Sequence, residues 1–195
     1  MLEKFKSKII LYPTAIMVAI CIIVTLALSG TNLLTEKKIE KINAKNEAAA
    51  MKSVINAKSY CEKVTDSGSH YFVASNSDEV LGYIFKMTEK GYGGDVSVMI
   101  GIDTELKVIG VEVTDVSNET PGLGQNSKDA KFTKQFKGKS EPVKVKKFGT
   151  ATADNEIDAV ASATITSTAV TNAVNNALTI AKEISPNDKE GGNAK

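Results

Sequence analysis

The longest uniform stretch of the chain is apolar, since residues 9–28 read IILYPTAIMVAICIIVTLAL and carry no charge. About 20 residues rising ~1.5 Å each match a bilayer core of ~30 Å, so the pattern predicts a single N-terminal transmembrane helix. Pro13 is expected in its first turn, where a missing amide costs least. A cleaved leader is the alternative, with Ala27-Leu28-Ser29 as a small-residue cleavage pattern, although leader cores usually run to only ~7–15 residues. Lys4, Lys6 and Lys8 precede the span against Glu3 alone. That bias places residues 1–8 in the cytoplasm and sends the main domain to the extracytoplasmic side. Lys37, Lys38, Lys41 and Lys45, beyond the span, pull against it.

The pattern then changes twice. Residues 29–59 are rich in Lys, Glu, Ala and Asn, with scattered apolar positions and no Pro, and from residue 31 no Gly; they read as a polar stalk helix. Short β-branched runs follow at residues 71–74, 80–88, 96–102 and 107–113. Ile109, Val111 and Val113 alternate with Val108, Gly110 and Glu112, the period of a strand buried on one face. Asp103, Thr104 and Glu105 separate the last two runs by a hairpin's length, so those two should pair antiparallel. Residues 129–136 read as a short helix and 143–147 as another strand. Ala169, Val170, Ala173, Val174, Ala177, Leu178 and Ala181 recur at helical spacing, in a helix expected to end near Ile184, before Pro186. The expected architecture is α+β, an antiparallel-rich sheet flanked by helices over residues 60–185, with a disordered tail at 186–195. Phe132, Phe136 and Phe148 are core candidates.

Composition mostly excludes. The 24 Lys+Arg against 23 Asp+Glu leave a net charge of +1, and every basic residue is Lys, so no guanidinium fork is available to read bases. Nucleic acid is not an expected partner. Two cysteines, Cys21 and Cys61, and the lone His70 are too few for a disulfide framework or a Cys/His metal site. Redox chemistry here needs an imported cofactor. Tyr60, Tyr83, Tyr92 and His70 read as structural residues rather than redox groups.

Candidate chemistry sits just before the last helix, where Asp158-Ala-Val-Ala-Ser-Ala-Thr164-Ile-Thr166-Ser167 places several hydroxyls. Thr166 or Ser167 is a suitable N-cap, which would leave Thr164 one or two residues outside the helix. Helix-start amides and the positive end of the dipole favour a phosphate there. Capping alone also accounts for such a segment.

At these residues the sequence resembles the FMN-binding domain family whose members carry flavin covalently. The family pattern is Asp-x-x-(Ser/Thr)-Gly-Ala-Thr; Asp158, Ala163 and Thr164 match it, while Ala161 and Ser162 stand where Ser/Thr and Gly are usual. Gly91-Tyr92-Gly93-Gly94 and Glu119-Thr120-Pro121-Gly122-Leu123-Gly124 resemble the same family, in the same order. With the N-terminal span, the chain resembles the G-subunit family of the Rnf complex, the ion-pumping ferredoxin:NAD oxidoreductase, over roughly residues 1–185. The C-subunit family of the sodium-pumping NADH:quinone reductase shares the plan and is the second choice.

The resemblance implies FMN esterified through its phosphate to Thr164, with Ser162, Ala163, Thr166, Thr120, Pro121, Gly122, Leu123 and Gly124 around the cofactor. Asp158 would serve recognition by a flavin transferase or fix its loop. It implies no catalytic residue acting alone, no metal, and an electron relay in a single-pass protein of the cell membrane. Its partners would be membrane lipid, the transferase and other integral membrane and redox subunits. An extracytoplasmic sensory or binding module of the same fold, and an anchored flavoprotein of a separate electron-transfer chain, are the competing functions.

Overall fold

The computed structural model describes residues 2–188 apart from 66, 67, 78, 141, 148 and 149. Phe148 and the last seven residues of the expected tail therefore lie outside the described residues. The chain divides into two compact units, residues 1–45 and 46–195.

In the first unit helix α1 (Leu2–Val54) begins. Within it, Tyr12–Glu36 is long and apolar enough to cross a membrane. Pro13 lies well inside the helix rather than in its first turn, because the charged residues expected to precede the helix are part of it. Hydroxyls bond back to the carbonyl four residues earlier, Thr25 to Cys21 at 2.7 Å and Thr31 to Ala27 at 2.8 Å. Polar side chains on an apolar helix are thereby satisfied within the helix itself.

The second unit is built on five antiparallel strands in chain order: β1 (Ser59–Val64), β2 (His70–Asn76), β3 (Glu79–Lys90), β4 (Asp95–Asp103) and β5 (Val108–Asp115). The expected hairpin forms, with Ile100 opposite Val111 and Gly101 opposite Gly110. Asp103 closes its turn by accepting the amides of Glu105 and Lys107 at 2.9 and 2.8 Å. Strand β1 is not visible in the sequence pattern because five of its six residues are exposed on the sheet edge, so no alternation marks it.

Both faces of the sheet are covered. Phe85, Val98, Ile100 and Ile102 point one way, into the main core with Val170, Ala173, Val174 and Ala177 of α3 (Thr164–Asp188). Ala74, Ile84 and Met99 point the other way, under Ala50, Met51, Val54 and Ile55. The stalk helix expected to reach residue 59 thus ends at Val54. The Tyr60 hydroxyl fastens that end, donating to the Ile55 carbonyl at 2.8 Å and accepting the Ala57 amide at 3.1 Å. Gly101 and Gly110 make room for it, since a Cβ at Gly101 would come within 2.8 Å of Ile55 and one at Gly110 within 3.3 Å of Val54.

Between β5 and α3 the chain is mostly irregular. The helix expected at 129–136 is a single turn, α2 (Ala130–Thr133), between 3-10 turns at Gly124–Lys128 and Lys134–Phe136. A small parallel pair, β6 (Lys144–Lys146) and β7 (Glu156–Asp158), leads into α3. Helix α3 continues through Pro186 to Asp188, four residues beyond the end expected at Ile184.

Candidate functional site

The start of α3 differs from the capping pattern read in the sequence. Thr164 is its first residue, and Ser167, instead of capping the helix, stitches the preceding loop to it. The Ser167 hydroxyl accepts the Val160 amide and donates to the Ala163 carbonyl, both at 2.9 Å. Thr168 donates to the Thr164 carbonyl at 2.7 Å, and Thr166 donates to Glu119 Oε2 at 2.8 Å. The hydroxyls of Thr166, Ser167 and Thr168 are thus committed to structure. The half-buried Thr164 hydroxyl has no hydrogen-bond partner among the described residues. It stands at a helix N-terminus whose first amides lack intrahelical carbonyls.

Ser162, two residues earlier, has a φ of 58°. This is the left-handed region, which costs an L-residue about 1–2 kcal/mol and glycine almost nothing. The position where the family pattern has glycine therefore does call for a glycine conformation, and a serine adopts it here.

Thr164 faces a cleft of about 500 Å³. Of the residues expected around a cofactor, Thr120, Leu123, Gly124, Ser162, Ala163, Thr164 and Thr166 line it. Pro121 and Gly122 are not in the lining. Gly122, at φ 76°, serves the turn that shapes the 120–124 loop, together with Asn126 Nδ2, which donates to the Gly122 carbonyl at 2.7 Å. Asp158 is not in the lining either. It borders a second cleft of about 560 Å³ with Gln135, Asp129 and Lys131. Its carboxylate accepts the Ala151 amide at 2.6 Å, and its own amide donates to Gln135 Oε1 at 2.8 Å. Asp158 is a loop-fixing residue by geometry. Two residues before it, the Thr152 amide beside Glu156 holds that carboxyl below its usual range.

Three lining residues stand in the motifs quoted above without having been expected at the cofactor: Tyr92, Glu119 and Ile165. Tyr92 is 73% exposed and Ile165 54%, so with Leu123 they give the cleft an apolar rim. Glu119 is the opposite case, a carboxylate only 3% exposed. Its Oε1 accepts the amides of Tyr92 at 2.7 Å and Gly93 at 3.1 Å, while Oε2 takes the Thr166 hydroxyl. Acids are rarely this buried, and the sequence marks it only as the first residue of the Glu119–Gly124 motif, with nothing to signal its burial.

The cleft falls within the ~300–1,000 Å³ range of small-molecule sites. It joins phosphate-favouring helix amides to an uncommitted hydroxyl and apolar cover, as a flavin mononucleotide requires. The family described as FMN-binding domain matches residues 91–179, which contain every lining residue. The G subunit of the Na+-translocating ferredoxin:NAD+ oxidoreductase complex of Acetobacterium woodii is 30% identical over 87% of this chain and 90% of that protein. The chain belongs to the G-subunit family of Rnf-type complexes. The G subunit of a proton-translocating ferredoxin:NAD+ oxidoreductase complex from Clostridium ljungdahlii is 34% identical over 55% of this chain and 57% of that protein. Among solved structures, NqrC of Shewanella oneidensis shares the fold, with a TM-score of 0.51 and 20% identity over 66% of this chain and 67% of that one.

Proposed function

We propose that this G-subunit family member is an electron-carrier subunit of a membrane-bound, ion-translocating ferredoxin:NAD oxidoreductase, and that its FMN is esterified to Thr164. Bound there, FMN supplies redox chemistry that the polypeptide lacks. The observation that carries this reading is the Thr164 hydroxyl, uncommitted among the described residues, at the start of α3 and in the lining of the cleft. In attachment the Thr164 oxygen loses its proton and forms a bond to the flavin's phosphorus as a P–O bond to a leaving oxygen breaks, that oxygen departing with the proton as water from FMN or as a phosphate from an activated flavin nucleotide, so the chain gains the mass of FMN less one water. The helix-start amides and dipole would hold the phosphate, and Leu123, Ile165 and Tyr92 would offer the ring apolar cover.

Maturation requires a flavin transferase, for which Asp158 presents the 158–164 segment in a fixed shape. Tyr12–Glu36 anchors the chain in lipid beside other membrane and redox subunits. Lys4, Lys6 and Lys8 favour a cytoplasmic N-terminus and an extracytoplasmic domain. The two relatives are named for different coupling ions, so likeness assigns no ion to this complex.

The test is intact mass, with flavin fluorescence after denaturation, on the native chain and on Thr164→Ala, each co-expressed with a flavin transferase. One FMN less water on the native chain and none on the variant support the reading; an unmodified native chain sinks it and favours the binding module. Sidedness has its own handle in Cys61, which is exposed on the domain. A membrane-impermeant thiol reagent should label it in intact cells, and protection there would reverse the orientation.

A further inference from the structure

We infer that Glu119 is a positioning residue of the flavin site, one that joins its walls through a single carboxylate and holds the bound flavin's reduction potential down. The inference rests on the attachment of FMN proposed above. Glu119 accepts two amides from the 91–94 loop and the hydroxyl of Thr166 in the first turn of α3, so it connects three segments that meet at the cleft. The space around it is made by glycines. A Cβ on Gly91 would strike its Oε1, and one on Gly124 its Oε2.

No lysine forms an ion pair with this carboxylate among the described residues, and its three hydrogen bonds come from uncharged donors. A buried acid is costly to keep unless it is fully hydrogen-bonded, and such charge-assisted bonds make a stiff brace. Reduction adds negative charge to the flavin. A carboxylate in the lining with no countercharge opposes that addition and so favours the oxidised form.

A purely structural brace and a charged one differ in a single substitution. Glu119→Gln keeps an oxygen for the two loop amides and an amide for Thr166, but removes the charge. In the full flavinylated chain in detergent, the midpoint potential followed by flavin absorbance should rise. A tenfold gain in the reduced-to-oxidised ratio at a fixed potential is expected, equivalent to about 59 mV for one electron. Thr166→Val retains the charge and both loop amides and removes one donor, so its potential should stay or fall.

A Glu119→Gln potential unchanged within twofold in that ratio, or lowered, overturns the inference, as does a Thr166→Val potential that rises. Should Glu119→Gln not fold, the direction of Thr166→Val decides alone. Native chain that takes no flavin removes the attachment reading and this inference with it, whereas labelled native chain with an unmoved Glu119→Gln potential removes this inference only.

Discussion

Two loops form the walls of the cleft, and they are held in opposite ways. The wall of residues 119–124 is tied by a buried carboxylate to the 91–94 loop and to α3, with glycines fitted closely around the bond. The other wall, Ser162 and Ala163 at the end of the 158–163 segment, is held by part-buried contacts from Gln135 and Ala151 to Asp158 and by the Ser167 hydroxyl to Val160 and Ala163, and includes a serine in left-handed backbone. One wall is over-determined and the other stores strain. The Thr164 hydroxyl, proposed above to carry FMN, lies where the strained wall enters the helix. Local stability varies within folds in this way, with functional segments drawn from the weaker end.

The comparison can be broken most completely at Thr164. Thr164→Ala should lose all covalent flavin by intact mass, while Thr164→Ser, which keeps the nucleophilic oxygen, should retain it. Next in size is the tight wall, where Gly124→Ala places a methyl against Glu119 and within 2.9 Å of the Thr166 hydroxyl. Overpacking of this kind costs about 1–3 kcal/mol, and a denaturant midpoint that does not fall would show the wall to be loose. On the strained wall the sign reverses. Ser162→Gly should stabilise the domain by about 1 kcal/mol, the relieved left-handed cost less glycine's extra entropy; a fall in the urea midpoint would remove strain from the account.

The smallest effect is acid-dependent. The Thr152 amide keeps the folded Glu156 carboxyl below its ordinary value of 4.5, so its contribution is present above that value and fades as pH falls through the lower folded one. Asp115, at the end of β5, behaves alike, held below 3.8 chiefly by the Ser117 amide. Glu156→Gln should lower stability slightly at neutral pH, leave it unchanged at the acid end, and so flatten the acid limb below pH 4.5; an unaltered acid limb would show that the Glu156 contact contributes nothing.

How much of this is legible in the sequence depends on how each residue is buried. The apolar helix and strands β3 to β5 announce themselves because burial on known faces imposes periodicity. Strand β1 does not, since its exposed side chains obey no pattern, and β7, with three residues, is too short to show one. Helix α3 starts at Thr164, ahead of the cap position suggested at Thr166 or Ser167, because Ser167 bonds backwards to Ala163 rather than capping, a choice that local sequence leaves open. Thr164 stands out only through its likeness to a family pattern; chemically it is one hydroxyl among several, and the structure narrows the choice by engaging Thr166, Ser167 and Thr168 while Thr120 and Ser162 stay in the same lining. Glu119 is visible in the sequence only as part of a motif, and its burial is illegible because it depends on amides and a hydroxyl brought from residues 92, 93 and 166.

The close fit of Val54 and Ile55 over Gly101 and Gly110 bears on where the protein can be cut. A soluble fragment starting at residue 60 would strip the cover from Ile84 and Met99, both fully buried, and expose an apolar sheet face of the kind that promotes aggregation. A fragment starting at Asn46 keeps the final turns of α1 in place. Those turns behave as part of the domain's fabric, so protease trimming from the amino end should stall near residue 46 and spare the strands behind it.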